Sequence, residues 1–361
     1  MIEKKRFDWV DFMKGIMMFL VILYHSEVYY GSGHTWSWVF EPFFLSGFFF
    51  ISGYLFTSNI QKVNFKYKFK QVFRTIILPY FIFVIILGIP KIIGMGHIDV
   101  QQYWIDVIML RASWFVIAIG VMQLIYAALL NAKPSIANLI ISTILMFLIG
   151  YALVILYRNP PCWLIENPWL HSKTLPNRLP ACLNLSLVQC PFFALGILFR
   201  HYEEVVSKYI IGGGMIGLIS VLSYVIFYIW IDHKYVGSSM CVAMNTYNNI
   251  ILIFVIGIIG IWALMGISRK IHCINFINYI GKYSLVFYFL NGGVLTVLSY
   301  IVKRLNCLNP ENYLCQTIVA LIATLLIFPC VWLINKYMPI LTGNKDSFNK
   351  LSKKLRLSID W

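Results

Sequence analysis

Residues 14–25 read KGIMMFLVILYH, a lysine and a histidine enclosing ten mostly apolar residues. The apolar interior asks for a membrane-spanning helix, yet lipid alone would favour neither end residue. Lys14 and His25 are eleven positions apart, close to three helical turns of about 3.6 residues. They therefore share a helix face, separated along the axis by roughly 16 Å at about 1.5 Å per residue. Lys14 can snorkel to the nearer interface. His25 falls in the far half of the span, where ionisable groups are costly and face a bundle interior or a wet cavity. One face thus presents a cation near one surface and a titratable base further across. A lone membrane histidine also serves as an interhelical hydrogen-bond link, so neighbouring sequence has to separate the two readings.

The 361-residue chain is 60% hydrophobic and 12% charged, with a mean hydropathy of +0.77. Soluble domains carry about a quarter charged residues, so the composition predicts an all-α polytopic membrane protein. Spans of about 20 apolar residues fit ten stretches: 12–30, 38–57, 75–95, 114–131, 136–157, 185–200, 209–231, 249–268, 280–301 and 314–338. An even number puts both termini on one side. With the amino end inside, 21 of the 29 basic residues lie in inside segments and 8 outside, which places both ends in the cytoplasm. The net charge of +15 is then topological, and no nucleic-acid partner is expected. The amino end MIEKKRFDWVDFMKG carries three acidic residues with no small-residue cleavage site after the apolar run. The first span is therefore expected to be its own insertion signal. The organisation predicted is a membrane core over 1–340 and a basic cytoplasmic tail over 341–361, suited to anionic membrane lipids.

The second span places Glu41 as far after the intervening loop as His25 lies before it, so an antiparallel pair brings the two to similar depth. A carboxylate there can orient an imidazole and stabilise its protonated form; a place at the water interface is the other reading of Glu41. Glu27, two residues on from His25, points to another face. Ser46, Gly47, Ser52 and Gly53 stand among aromatics in SGFFFISGYLF, as in close helix packing. The run Lys62, Lys66, Lys68, Lys70, Arg74 satisfies the positive-inside pattern and also makes a phosphate patch, with Arg74 at the helix mouth. The loop 158–184 holds five prolines and two tryptophans, suited to sugar contact or interfacial anchoring. The eight cysteines show no metal-ligand spacing, and no metal is expected. Cys162, Cys182, Cys241 and Cys307 fall in external loops, with Cys315 nearby, open to one or two disulfides in an oxidising compartment.

Taken together these stretches resemble the acyltransferase 3 family of integral-membrane enzymes. That family opens with arginine, ten residues and histidine in its first helix, matched by KGIMMFLVILYH with Lys14 in place of the arginine. FFFISGYLF matches a second-helix element through Ser52 and Gly53. RTIILPYF, with Arg74 and Pro79, and SWFVIA, with Trp114 and Phe115, follow in order. PFFALGILF and IGKYSLVFYFLN match later helices, with Asn291 where many members have histidine.

The resemblance implies transfer of an acyl group, most often acetyl, from cytoplasmic acyl-CoA (acetyl-CoA) to a hydroxyl of a cell-surface glycan or a lipid-linked sugar acceptor, in a bacterial cytoplasmic membrane. His25 is expected as general base or transient acyl carrier, with Glu41 beside it. Lys14 and Arg74 are expected on the acyl-CoA phosphates. Arg111, Trp114, Ser52 and Asn291 are expected on the substrate side, Arg111 as an acceptor contact. The competing class is a glycolipid or polysaccharide transporter. It should show inverted repeats or paired broken helices, and the sequence shows neither.

Overall fold

With no water in the bilayer core, an apolar chain must satisfy its backbone within each segment, and helices do so. The computed structural model describes residues 6–31, 37–95, 99–173, 175, 178–206, 221–225 and 250–354. Among them there is helix and no strand. Eight helices are long and apolar enough to cross a membrane. A shorter apolar helix, Val39–Tyr54, covers the second expected span. The seventh, 209–231, lies outside the described residues except for 221–225, which are helical.

Three spans differ from the hydropathy reading. The third span begins at Phe65 rather than near 75: helix α3 (Phe65–Val72) runs through a π-helical turn (Phe73–Ile77) into α4 (Leu78–Met95). Its first turns carry alternating lysine and aromatic residues, which hydropathy scores as loop although the chain stays helical. The ninth is divided. A short amphipathic helix, Asn275–Lys282, ends at Tyr283, and the long helix starts at Ser284. The sixth, read as short, extends back to Pro180 through a 3₁₀ turn.

The chain forms two compact units. The first comprises Met1–Ile51, Tyr202–Val242 and Tyr247–Trp332. Its longer described helices are α1 (Asp8–Tyr29), most of α2 (Ser37–Tyr54), and, in later order, the helices Ile250–Lys270, Asn275–Lys282, Ser284–Leu305 and most of Tyr313–Tyr337. Helix α1 packs on the Asn275–Lys282, Ser284–Leu305 and Ile250–Lys270 helices. Two glycines permit the closest of these approaches. A Cβ on Gly15 would collide with the Ile277 carbonyl, and one on Gly281 with the Asp11 carbonyl.

The second unit comprises Ser52–His201, Ala243–Thr246 and Leu333–Trp361. It holds α3, the π turn, α4, α5 (Val100–Ile108), α6 (Trp114–Ala132), α7 (Ile136–Arg158) and α8 (Leu183–His201). Helix α7 packs on α8, and α6 packs on α3 and α8. The opposite side of α7 exposes Ile140, Ile141, Ile144, Leu145, Leu148 and Ile149, an apolar face that suits lipid. The tail is helical over Lys345–Lys354, with Phe348 buried. Cys162, Cys182, Cys307 and Cys315 are free thiols; Cys241 lies outside the described residues.

Candidate active site

In the first unit the last turns of α1 are tied down by polar contacts. The Ser26 hydroxyl donates to the Gln316 carbonyl at 2.7 Å, and the Tyr30 hydroxyl to the Leu308 carbonyl at 2.6 Å. Glu27 is buried and accepts from the Ser37 amide at 3.2 Å. His25 sits within this anchored turn. Its Nδ1 lies 2.6 Å from Asn291 Oδ1, a residue only 2% exposed. The Asn291 amide nitrogen donates in turn to the Tyr288 carbonyl one turn earlier. The rings of Tyr24 and Tyr29 flank the imidazole, with centroids 5.6 and 6.1 Å away. Glu41 is 7% exposed on α2, one residue before Pro42.

Toward the other end of α1, Lys14 Nζ meets Asp11 Oδ1 at 2.9 Å, and Arg6 meets the other carboxylate oxygen. Lys14 keeps 19% of its side chain exposed. Nearby in the same unit, Arg269 pairs with Glu203 at 2.6 Å and lies 4.5 Å over the Trp9 ring. The sequence reading missed Asp11, although a carboxylate three residues before a lysine on a helix is a readable pair. It placed Asn291 on the substrate side. The structure pairs Asn291 with the imidazole, across a sequence separation of 266 residues that no local pattern encodes.

The second unit holds the other candidates. Ser52 precedes Gly53, where a Cβ would strike the Phe193 carbonyl, so this small-residue step seats α2's end on α8. Arg74 lies in the π turn, and its buried Nε has no hydrogen-bond partner among the described residues. π turns recur at functional positions because they re-aim side chains. Trp114 opens α6, with the Arg178 guanidinium 5.7 Å from its ring centre.

Arg111 is fully buried. Its Nη2 donates to the Trp169 carbonyl at 2.6 Å and the Pro168 carbonyl at 3.2 Å. Its Nη1 lies 3.4 Å from Asp106 Oδ1, near enough for an ion pair but not aligned as a hydrogen bond. Asp106 also accepts from Ser172 at 2.7 Å and from Gln102 at 3.1 Å. Burial draws the Arg111 guanidinium below its usual range, with Asp106 opposing. Burial, and then the Arg111 charge, hold the His171 imidazole low. The backbone here is strained: Leu110, Ala181 and Cys182 have φ of 58, 53 and 52°, and the Ala181 amide donates to the Met109 carbonyl at 2.7 Å. Left-handed non-glycine residues persist only where surrounding contacts over-determine them.

Among the described residues no three His, Cys, Asp or Glu side chains gather as a metal site. No curated protein and no solved structure matches the chain. A family model for an acyltransferase domain matches residues 7–334, and this coverage of nearly the whole chain makes the protein a member of the acyltransferase 3 family of membrane acyltransferases.

Proposed function

We propose that this acyltransferase moves an acetyl group from acetyl-CoA, entering from the cytoplasm, to a hydroxyl of a cell-surface glycan or glycolipid in a bacterial inner membrane. The observation that carries the reading is an imidazole, His25, in the anchored last turns of a membrane-spanning helix and held at Nδ1 by a buried partner. A hydroxyl is a weak nucleophile until a base removes its proton as it attacks. His25 takes that proton, the hydroxyl oxygen bonds to the thioester carbon, and the carbon–sulfur bond breaks. The CoA thiolate leaves and receives the proton from the imidazolium. A transient acyl-histidine is the variant route through the same nitrogen, with Glu41 a further group near that end of α2.

Lys14, in the first unit, and Arg74, in the second, are each proposed as a phosphate contact for acyl-CoA. The unpartnered Nε of Arg74 is a donor that a phosphate would satisfy. Trp114 and Ser52 contribute on the acceptor side. Arg111 acts there as a positioning residue, through the loop its guanidinium holds.

The test is release of CoA thiol by purified protein given acetyl-CoA and candidate glycan acceptors. His25→Gln keeps a hydrogen-bonding side chain but cannot take a proton at neutral pH. It should purify normally and lose at least ~10²-fold in kcat, the lower range for a general base. A His25→Gln variant with most of its activity would make His25 an interhelical link and move the search to Glu41.

A further inference from the structure

We propose that Asn291 is a positioning residue that fixes His25 as its Nδ1–H tautomer, leaving the reactive lone pair on Nε2. The inference rests on the reading of His25 as base or acyl carrier, and both roles need an unprotonated ring nitrogen.

The chain of hydrogen bonds decides the protons. The Tyr288 backbone carbonyl can only accept, so the group of Asn291 facing it must be the amide NH₂. The amide oxygen is then the atom at 2.6 Å from His25 Nδ1. An amide oxygen has no proton to give, so the proton between them belongs to Nδ1. A neutral imidazole has one N–H, and the lone pair therefore lies on Nε2. The reverse amide orientation would set two oxygens against each other at Tyr288, so the bond to that carbonyl is what fixes the amide.

Burial makes this selection firm. Asn291 is 2% exposed, and Phe287 and Phe289 on the same helix are 0% and 6% exposed. On the Asn291 side, a buried donor or acceptor left unmade costs more than the bond contributes. The choice of an amide over a carboxylate matters too. A carboxylate would also stabilise the charged imidazolium, whereas an amide orients the ring without adding charge, as in Cys-His-Asn sites. The ring nitrogen is thereby aimed while its protonated form gains no ion-pair partner from this side.

The experiment uses full-length protein labelled with ¹⁵N-histidine in nanodiscs, at a pH above imidazole titration. The His25 signals are those lost in His25→Gln. Nitrogen shifts separate the Nδ1–H from the Nε2–H tautomer. The expected result is Nδ1–H in the parent and a shift toward Nε2–H in Asn291→Leu. That variant should lose ~10- to 100-fold in kcat, the usual scale for a partner that orients a functional histidine, with the KM for acetyl-CoA held within about twofold because substrate binding is not the step removed. Asn291→Asp restores an acceptor at Nδ1 and should recover the Nδ1–H tautomer, with kcat restored only in part because its second oxygen then faces the Tyr288 carbonyl. An Nε2–H tautomer in the parent overturns the proposal. So does an Asn291→Leu protein that keeps both tautomer and kcat, or an Asn291→Asp protein that shows the Nε2–H tautomer. Activity retained in His25→Gln would instead remove the base reading alone, since the tautomer measurement stands without it.

Discussion

Each unit sets a buried or half-buried cation against an aspartate, and the two pairs are built for different ends. In the first, Lys14 meets Asp11 at 2.9 Å with 19% of the lysine exposed, and Arg6 shares the carboxylate. In the second, Arg111 stands 3.4 Å from Asp106, with side-chain exposures of 0% and 4%. Two backbone carbonyls take the same end of the Arg111 fork. A lysine is a point charge on a flexible stem that can swing from one anion to another. A guanidinium binds through a rigid planar fork. The first pair therefore suits the proposed release of its cation to a phosphate. The second is a clasp, binding the 167–172 turn to the elbow after α5. Sign and residue type alone would have given both cations the same task.

The largest expected effect comes from opening the clasp. Arg111→Ala leaves Asp106 buried without its counter-charge, a loss on the order of 3–5 kcal/mol for broken buried pairs. Thermal unfolding in detergent should show it as a sharp drop in Tm, and Arg111→Lys should recover only part, lacking the fork. A stable Arg111→Ala protein with a raised acceptor KM would make Arg111 a direct acceptor contact and end the contrast.

A smaller loss should follow from Gly281→Ala. The added methyl collides with the Asp11 carbonyl, and overpacking of this kind costs typically ~1–3 kcal/mol. Lower Tm with a higher KM for acetyl-CoA is expected, because the backbone that presents the Asp11–Lys14 pair must move. Unchanged Tm would show that α1 and the Asn275–Lys282 helix need not touch.

The smallest effect should distinguish release from restraint. Lys14→Ala should raise the acetyl-CoA KM about fivefold, the scale of ~1 kcal/mol for a partly exposed ion pair. Asp11→Asn should lower it, because the lysine loses its competing anion. Two variants that lower Tm and leave KM alone would make Asp11–Lys14 a second clasp.

Much of the fold could be read in the chain because hydropathy marks the spans directly, and eight of the expected stretches coincide with long apolar helices. What failed to show were helix starts and breaks that hydropathy does not follow. The lysine–aromatic alternation of α3 scores as loop, and the break at Tyr283 divides a run that stays apolar. In the site, the Lys14–His25 relation was legible because one helix carries both. The Asn291 partnership was not, since it depends on how two helices far apart in sequence meet. Arg111 was visible as a cation in a loop, but its carbonyl partners at Pro168 and Trp169 are backbone atoms, which residue identity does not reveal.

The π turn between α3 and α4 carries a consequence for insertions and deletions. Such a turn holds one residue more than an α-helix needs over the same length, and each residue of helix advances about 100°. Everything beyond Ile77 is therefore out of phase with the lysine-bearing turns before Phe73. Losing one residue between 73 and 77 would remove the extra residue and close the turn into plain α-helix, leaving Ile85 and Ile86, exposed at 39% and 51%, on the side they now face. The same deletion inside α4 would turn everything beyond it by about 100°. A single-codon deletion is absorbed in this stretch and acts as a rotation elsewhere in the span.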